Sequence, residues 1–184
     1  MGKLKGSVFY LCGPIDYAKD LGIGWRQEIT PRLREMGTFV IDPTNKPTAE
    51  KELFEGVENQ GLRRALKENG EFEKLHELGQ SVRNFDLRSC DKADGLIVYL
   101  DYDVVMTGTL EELFIANKSK KPILVFCKQG KKSIADWIYF TIPPKYIFEN
   151  MDEIISYLHK VNSGEEGDNR RWHFFDWEKI VCGQ

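Results

Sequence analysis

No apolar run in this 184-residue chain is long. The longest, Pro122–Cys127 and Gly95–Leu100, are strand-length and far too short to span a bilayer, so no membrane role is expected. The opening MGKLKGSVFYLCGP lacks the sustained apolar core of a signal peptide, and MGKLKG lacks the Ser or Thr of a myristoylation signal. Positive charge is not in excess. Lys and Arg number 26 against 29 Asp and Glu, a formal charge of −3, which gives no basic surface for a phosphate backbone and argues against nucleic acid as a partner. Cysteine is sparse: Cys12, Cys90, Cys127 and Cys182 form no CxxC pair and read as buried free thiols of a cytoplasmic protein. His76, His159 and His173 show no HExxH spacing, so no metal is expected. Glycine-rich phosphate loops are missing too. Gly13 is followed by Pro14, Gly22-Ile23-Gly24 comes too late after the first strand, and no GxxxxGK[ST] occurs. No internal repeat or low-complexity segment is present.

What the chain does have is alternation. SVFYLC (7–12), TFVI (38–41), GLIVYL (95–100), PILVFC (122–127) and KYIFEN (145–150) read as strands. Trp25, Ile29, Leu33 and Met36 recur at helical spacing, with Pro31 inside the pattern requiring a late start or a kink. Residues 61–69, 71–92, 109–118 and 151–161 read as further helices, and 44–60 as a polar loop with room for a short helix. IADWIYF is a short segment between strands. Strands alternating with helices predict an α/β fold: a doubly wound, flavodoxin-like, five-stranded parallel sheet with helices on both faces. The domain is expected to span residues 1–161, followed by a polar linker, NSGEEGDNRR. The tail, WHFFDWEKIVCGQ, is too aromatic to float, so it is expected to dock on the domain or on a neighbouring subunit of a homo-oligomer.

In such sheets ligands bind outside the carboxyl ends of the strands, where strand order reverses. Three stretches qualify: CGPIDYAKD, DYDVVMTGT and CKQGKK. The second leads into MTGTLEELFIANK, where Glu111 and Glu112 are adjacent. Two readings compete for this pair. With Thr109 as N-cap, Glu112 falls at the third helical position of a T-x-x-E capping box. Alternatively, Glu112 is a nucleophile. The helical wheel leaves both open, because Leu110, Leu113 and Phe114 define the core face and Glu112 lies away from it. Spacing favours chemistry. Tyr10 on the first strand, Asp86 on the helix before the third strand and Glu112 after it can converge on one crevice, while Asp94 starts the strand.

The blocks FYLCGPID (9–16), NFDL (84–87), KADGLIVYL (92–100) and GTLEELFIANKSKKPIL (108–124) together resemble the nucleoside 2-deoxyribosyltransferases and the related nucleoside-monophosphate N-glycosidases. The resemblance covers roughly residues 7–127, about two thirds of the chain. It implies Glu112 as nucleophile, Tyr10 as the residue that orients it and Asp86 as the active-site aspartate. The expected substrate-binding set is Gly13, Pro14, Asp16, Asp20, Met106, Gly108, Thr109 and Arg88. Two positions depart from the family pattern. Met106 stands where the transferases often carry a sugar-binding aspartate, with Asp101 and Asp103 out of register, and Phe114 stands where glycine is common.

The implied reaction is cleavage of an N-glycosidic bond and transfer of 2-deoxyribose between nucleobases through a glycosyl-glutamate ester. It needs no cofactor. Its partners are a nucleoside or nucleotide and a free nucleobase. Two alternatives stand beside it. One is hydrolysis of a deoxynucleoside monophosphate, with Arg26, Arg88 and Lys128, Lys131 and Lys132 as phosphate ligands; the other is a catalytically silent nucleotide sensor. Trp25 and Phe85 are either base-stacking residues or ordinary core.

Overall fold

Three apolar runs form the middle of a parallel sheet: β1 (Val8–Cys12), β3 (Gly95–Leu100) and β4 (Ile123–Cys127). Their residues are almost all buried, as expected of strands covered on both faces. The computed structural model describes residues 2–46, 57–165 and 172. The sheet has five strands in the order β2-β1-β3-β4-β5, with β2 (Phe39–Ile41) and β5 (Ile147–Phe148) at its edges. Every pairing is parallel. The doubly wound, flavodoxin-like architecture read from the sequence is therefore the one observed.

Chain order fixes where the helices lie. β1 leads through α1 (Ile23–Glu35) outward to β2. The chain then returns through α2 (Val57–Glu68) and α3 (Phe72–Lys92) to β3 on the other side of β1. It continues through α4 (Thr107–Lys118) to β4 and through α5 (Asp136–Thr141) to β5, then ends in α6 (Met151–Ser163). Right-handed crossovers put α1 on one face and α3 with α4 on the other. Accordingly α1 packs on α6, and α3 packs on both α2 and α4. Direction reverses between β1 and β3, so a crevice opens at their carboxyl ends.

Two expectations about element ends need correction. β5 covers only Ile147–Phe148 of the expected 145–150, because Pro143-Pro144 imposes a 3-10 turn over Pro144–Tyr146 and Asn150 already caps α6. α1 continues through Pro31, which sits on its exposed side. Asp94 has the structural role expected of it: its Oδ2 accepts from Val8 N at 2.8 Å and joins β3 to β1. The stretch 47–56 lies outside the described residues, as does the tail apart from Trp172. That indole packs on Phe9 and Tyr157 of its own chain and donates Nε1–H to the Tyr157 hydroxyl at 2.9 Å.

Arg26 holds the β1–α1 loop in place. Its guanidinium is fully buried and donates to three carbonyls: Leu11 at 3.2 Å, Gly22 at 2.7 Å and Gly13 at 2.8 Å. The Asp42 carboxylate, 3.6 Å away, balances its charge. The loop passes so close that a Cβ at Gly22 would collide with the Pro14 carbonyl and the Arg26 guanidinium, and φ there is +68°. Arg26 is thus committed to the scaffold and is not a phosphate ligand. Arg26→Met should cost about 3 kcal/mol or more, because it strands buried carbonyls and unpairs Asp42. Arg34→Met, on the exposed side of the same helix, should stay within about 0.5 kcal/mol. Urea denaturation of both variants measures this; equal stabilities would refute the scaffold role.

Candidate active site

The acidic pair does not cap its helix. α4 begins at Thr107 with Met106 at the N-cap position, two residues earlier than expected. Thr109 therefore lies inside the first turn and is buried, and Glu112 lies in the second turn. The T-x-x-E box is not formed. Glu112 is also too far along the helix for the macrodipole to matter much, since that effect fades beyond the first turn. Side-chain capping occurs instead at α6, where the N-cap Asn150 Oδ1 accepts from Glu153 N at 3.0 Å and Glu153 Oε2 accepts from the N–H of the preceding residue, Glu149, at 2.9 Å.

Glu112 is oriented by Tyr10. The phenol hydroxyl donates to Glu112 Oε1 at 2.6 Å, joining β1 to α4 across the switch point. Tyr10 itself is wholly buried, with its backbone between Ile41 and Leu96 in the sheet. Burial first, and then the negative charges of Glu112 and Asp86, push its ionisation well above the usual range, so it stays a proton donor. Two buried thiols back the same helix. Cys12 Sγ donates to the Thr109 carbonyl at 3.4 Å and Cys90 Sγ to the Glu112 carbonyl at 3.8 Å. Burial raises both thiols, Cys90 to about 12, so they act as weak donors rather than nucleophiles. Cys127 is also buried and free, and Cys182 lies outside the described residues.

Asp86 enters the site from α3 and is 7 % exposed. Lys46, in the loop after β2, holds it: Nζ lies 3.0 Å from Oδ2 and 2.8 Å from Oδ1, with hydrogen-bond geometry to Oδ2 only. Burial raises the Asp86 carboxyl to about 6, against the opposing pull of Lys46 and with a smaller push from Glu112.

Asp86 and Glu112 face a common cleft of about 480 Å³. One wall is the loop Gly13–Tyr17, another the Val105–Thr109 stretch, and α2 and α3 contribute Arg63, Lys67 and Arg83. Of the substrate-binding residues expected from the sequence, Gly13, Pro14, Asp16, Met106, Gly108 and Thr109 line it. Asp20 does not. Its carboxylate accepts from the Gly22 and Gly24 amides at 3.0 and 2.8 Å, which tie it to the start of α1. These amides, Gly24 above all, hold it below the usual carboxylate range. Arg88 does not line the cleft either; it is exposed two residues beyond Asp86, and a two-residue step turns it to another side of α3.

The other sequence candidates are likewise occupied elsewhere. Trp25 packs against Tyr99 and Phe126 in the core. Phe85 lies under the Lys46 ammonium, 5.3 Å from its ring centre. Lys128 pairs with Asp101 and Asp103 at 3.0 and 2.9 Å, and Lys131 lies near Glu149 and Glu153. Met106 Sδ faces the Asp101 amide at 3.0 Å. Among the described residues, no cluster of His, Cys, Asp and Glu has the arrangement of a metal site, and no helix is long and apolar enough to cross a membrane.

Lys46, Arg63, Lys67 and Arg83 were not selected from the sequence. Arg63 pairs with Asp16 across the cleft, and Arg83 grips both oxygens of Glu111. Lys46 was within reach of the rule that ligands bind at strand carboxyl ends, since it follows β2 beside the switch point. The arginines carry no such signal.

Among solved structures, the fold matches a 2-deoxyribosyltransferase from the psychrotolerant bacterium Bacillus psychrosaccharolyticus, with a TM-score of 0.56 and 22 % identity over 82 % of this chain and 92 % of that one. It also matches a 2-deoxyribosyltransferase from Leishmania mexicana, with a TM-score of 0.51 and 15 % identity over 82 % and 95 % of the two chains. The fold is that of the 2-deoxyribosyltransferases. No protein-family model matches the chain, and no curated protein matches it in sequence.

The raised Asp86 carboxyl predicts a pH dependence of stability. Its folded value, about 6, exceeds the unfolded value near 3.8, so the native state holds this proton more tightly than the unfolded chain does. Its contribution, up to about 3 kcal/mol, is fully present below about pH 4 and is lost as pH rises toward 6. Unfolding free energies of wild type and Asp86→Asn across pH 4–6.5 should therefore differ by an amount that falls with rising pH. A pH-independent difference would contradict the raised value.

Proposed function

We propose that this protein cleaves the N-glycosidic bond of a nucleoside and transfers its 2-deoxyribosyl group to a second nucleobase, with Glu112 as nucleophile. The observation that carries this reading is the 2.6 Å hydrogen bond from a buried Tyr10 to Glu112, in a cleft that also contains a carboxyl raised to about 6. The resemblance of the sequence blocks and the shared fold point the same way.

Glu112 Oε attacks the anomeric carbon as the C–N bond breaks, and the oxocarbenium-like charge that develops there collapses to an ester. The bond's electron pair leaves with the base nitrogen. Asp86, in its protonated form, gives that base a proton, because a nucleobase leaves poorly as an anion. The ionised Asp86 then takes a proton from the incoming base as its nitrogen attacks the anomeric carbon, breaking the bond from that carbon to Glu112 Oε and releasing the carboxylate. Water in the second step gives hydrolysis instead. A carboxyl near 6 serves both directions of proton transfer at neutral pH. Tyr10 keeps the nucleophile in one rotamer without neutralising it.

Hydrolysis of a nucleoside monophosphate is the second reading, favoured by Arg63, Lys67 and Arg83 at the cleft wall. The charge balance works against it. Among the described residues, the lining carries four carboxylates (Asp16, Asp86, Glu111, Glu112) against these three cations, and Lys46 behind Asp86 brings the balance only to neutral. A phosphate near −2 that bound either arginine would have to displace Asp16 or Glu111 from it. A neutral nucleoside displaces neither. Adding a second free base separates the readings, because only a transferase then makes a new nucleoside. A homo-oligomer in the cytoplasm, with the segment after Trp172 docked on it, belongs to the same proposal.

Glu112→Gln should keep its place, since Tyr10 can still donate to an amide oxygen, and stability should shift by less than about 1 kcal/mol. Activity should fall on the order of a thousandfold or more, because an amide neither stabilises nor captures the oxocarbenium centre. Glu111→Gln loses a surface ion pair worth about 0–1 kcal/mol and should keep most activity. In wild type quenched during turnover of a deoxynucleoside, the peptide containing Glu112 should gain one sugar mass. Equal loss of activity in both variants, in proportion to lost stability, would remove Glu112 from the chemistry.

A further inference from the structure

Lys46 is a buried cation that the reaction just described does not use. It is 4 % exposed, lies over the Phe85 ring and, among the described residues, pairs with one carboxylate, that of Asp86, through both oxygens. A buried lysine away from any carboxylate is expensive, so the pair is held together by the cost of separating it. The ammonium lies close to both oxygens, hydrogen-bonded to Oδ2 at 3.0 Å and 2.8 Å from Oδ1, so it fixes the carboxyl as a unit.

Resting on the transferase reading, we propose that Lys46 is a positioning residue for the proton transfers: it holds the Asp86 carboxyl in place at the cleft and keeps it able both to give a proton to the departing base and to take one from the incoming base. Several groups act on Asp86. Lys46 in the β2–α2 loop favours its ionised form, as does Arg26 of α1 from farther off. Glu112 of α4 opposes ionisation, and Tyr10 of β1 lies close enough to interact with it. Arg63 and Lys67 of α2 face the same cleft. Among the described residues, Lys46 is the one in ion-pair contact with Asp86. Without it, burial and Glu112 would act nearly unopposed, and Asp86 would hold its proton through neutral pH. The departing base would still receive a proton, but the second half-reaction would lack its base.

The test compares wild type, Lys46→Met and Lys46→Arg. The Asp86 side-chain carboxyl is titrated by carbon-13 NMR, with Asp86→Asn to assign its signal, and kcat for base exchange on a deoxynucleoside is measured across pH. Lys46→Met should raise the Asp86 midpoint by at least one pH unit and shift the corresponding limb of the kcat profile by the same amount. At pH 7 it should slow release of the glycosyl-enzyme at least tenfold, with KM little changed. Lys46→Arg should restore both midpoint and rate to within about threefold of wild type. Lys46→Met/Asp86→Asn, which removes both charges, supplies a folded control should the single variant unfold; it should recover stability but not base exchange. An Asp86 midpoint unmoved in folded Lys46→Met, or a uniform drop in kcat with an unshifted profile, overturns the inference. A wild type that exchanges no base overturns the catalytic reading and the role in proton transfer with it, while the titration still decides whether Lys46 governs Asp86.

Discussion

The hydrogen bond from Tyr10 to Glu112 connects the middle of β1 to the second turn of α4, and the site is arranged around it. A hydrogen bond of 2.6 Å between a neutral phenol and a carboxylate needs both partners placed accurately. The sheet supplies the first placement, because Tyr10 is locked between Ile41 and Leu96 in the ladder. Weak thiol contacts from Cys12 and Cys90 back the second, reaching the carbonyls of Thr109 and Glu112. Arg26 sets the remaining edge by tying Leu11, Gly13 and Gly22 together, so that the Gly13–Tyr17 loop forms a wall of the cleft.

Charge in the cleft is matched rather than accumulated. Arg63 meets Asp16, Arg83 meets Glu111 and Lys46 meets Asp86, each across a long sequence separation. The first two pairs are partly exposed and therefore weak, so ligands can rearrange them at small cost. The third is buried, and there a missing partner would be costly. This gradient divides the roles. Rim pairs border the cleft, while in the inner pair Lys46 opposes the rise that burial imposes on Asp86. Glu112 accepts its hydrogen bond from the neutral Tyr10 hydroxyl.

The parts of this arrangement that are local in sequence were legible there. Strands covered on both faces must be continuous apolar runs, which is why GLIVYL and ILVFC could be placed within a residue. Tyr10, Asp86 and Glu112 could be grouped because each belongs to an element ending near the switch point. Errors occurred where a short-range pattern had two solutions. Thr109-x-x-Glu112 is a valid capping box, but Thr107 and Gly108 already take helical conformation, so the pattern lies inside the helix. KYIFEN has strand composition, but the paired prolines before it convert its start to a 3-10 turn. The ion pairs were out of reach for a different reason. Their partners lie 28, 40 and 47 positions apart, and no periodicity reports a contact of that kind.

Adjacent residues on a helix point about 100° apart, so Glu111 and Glu112 cannot share a partner on one side. The fold uses that angle to give two identical carboxylates different surroundings. Glu111 turns to Arg83 of α3, where a bidentate guanidinium offsets its charge at the rim. Burial is slight there, and the guanidinium holds the Glu111 carboxyl below the usual range. Glu112 turns to the buried Tyr10 hydroxyl. A guanidinium fixes a carboxylate by cancelling its charge, which would also withdraw the electron density needed for attack on an anomeric carbon. A phenol held in its neutral form by burial fixes the carboxylate through one oxygen and leaves the charge in place. The glutamate held by the neutral donor is the one proposed as nucleophile, and it shares the cleft with Asp86, whose carboxyl is raised to about 6.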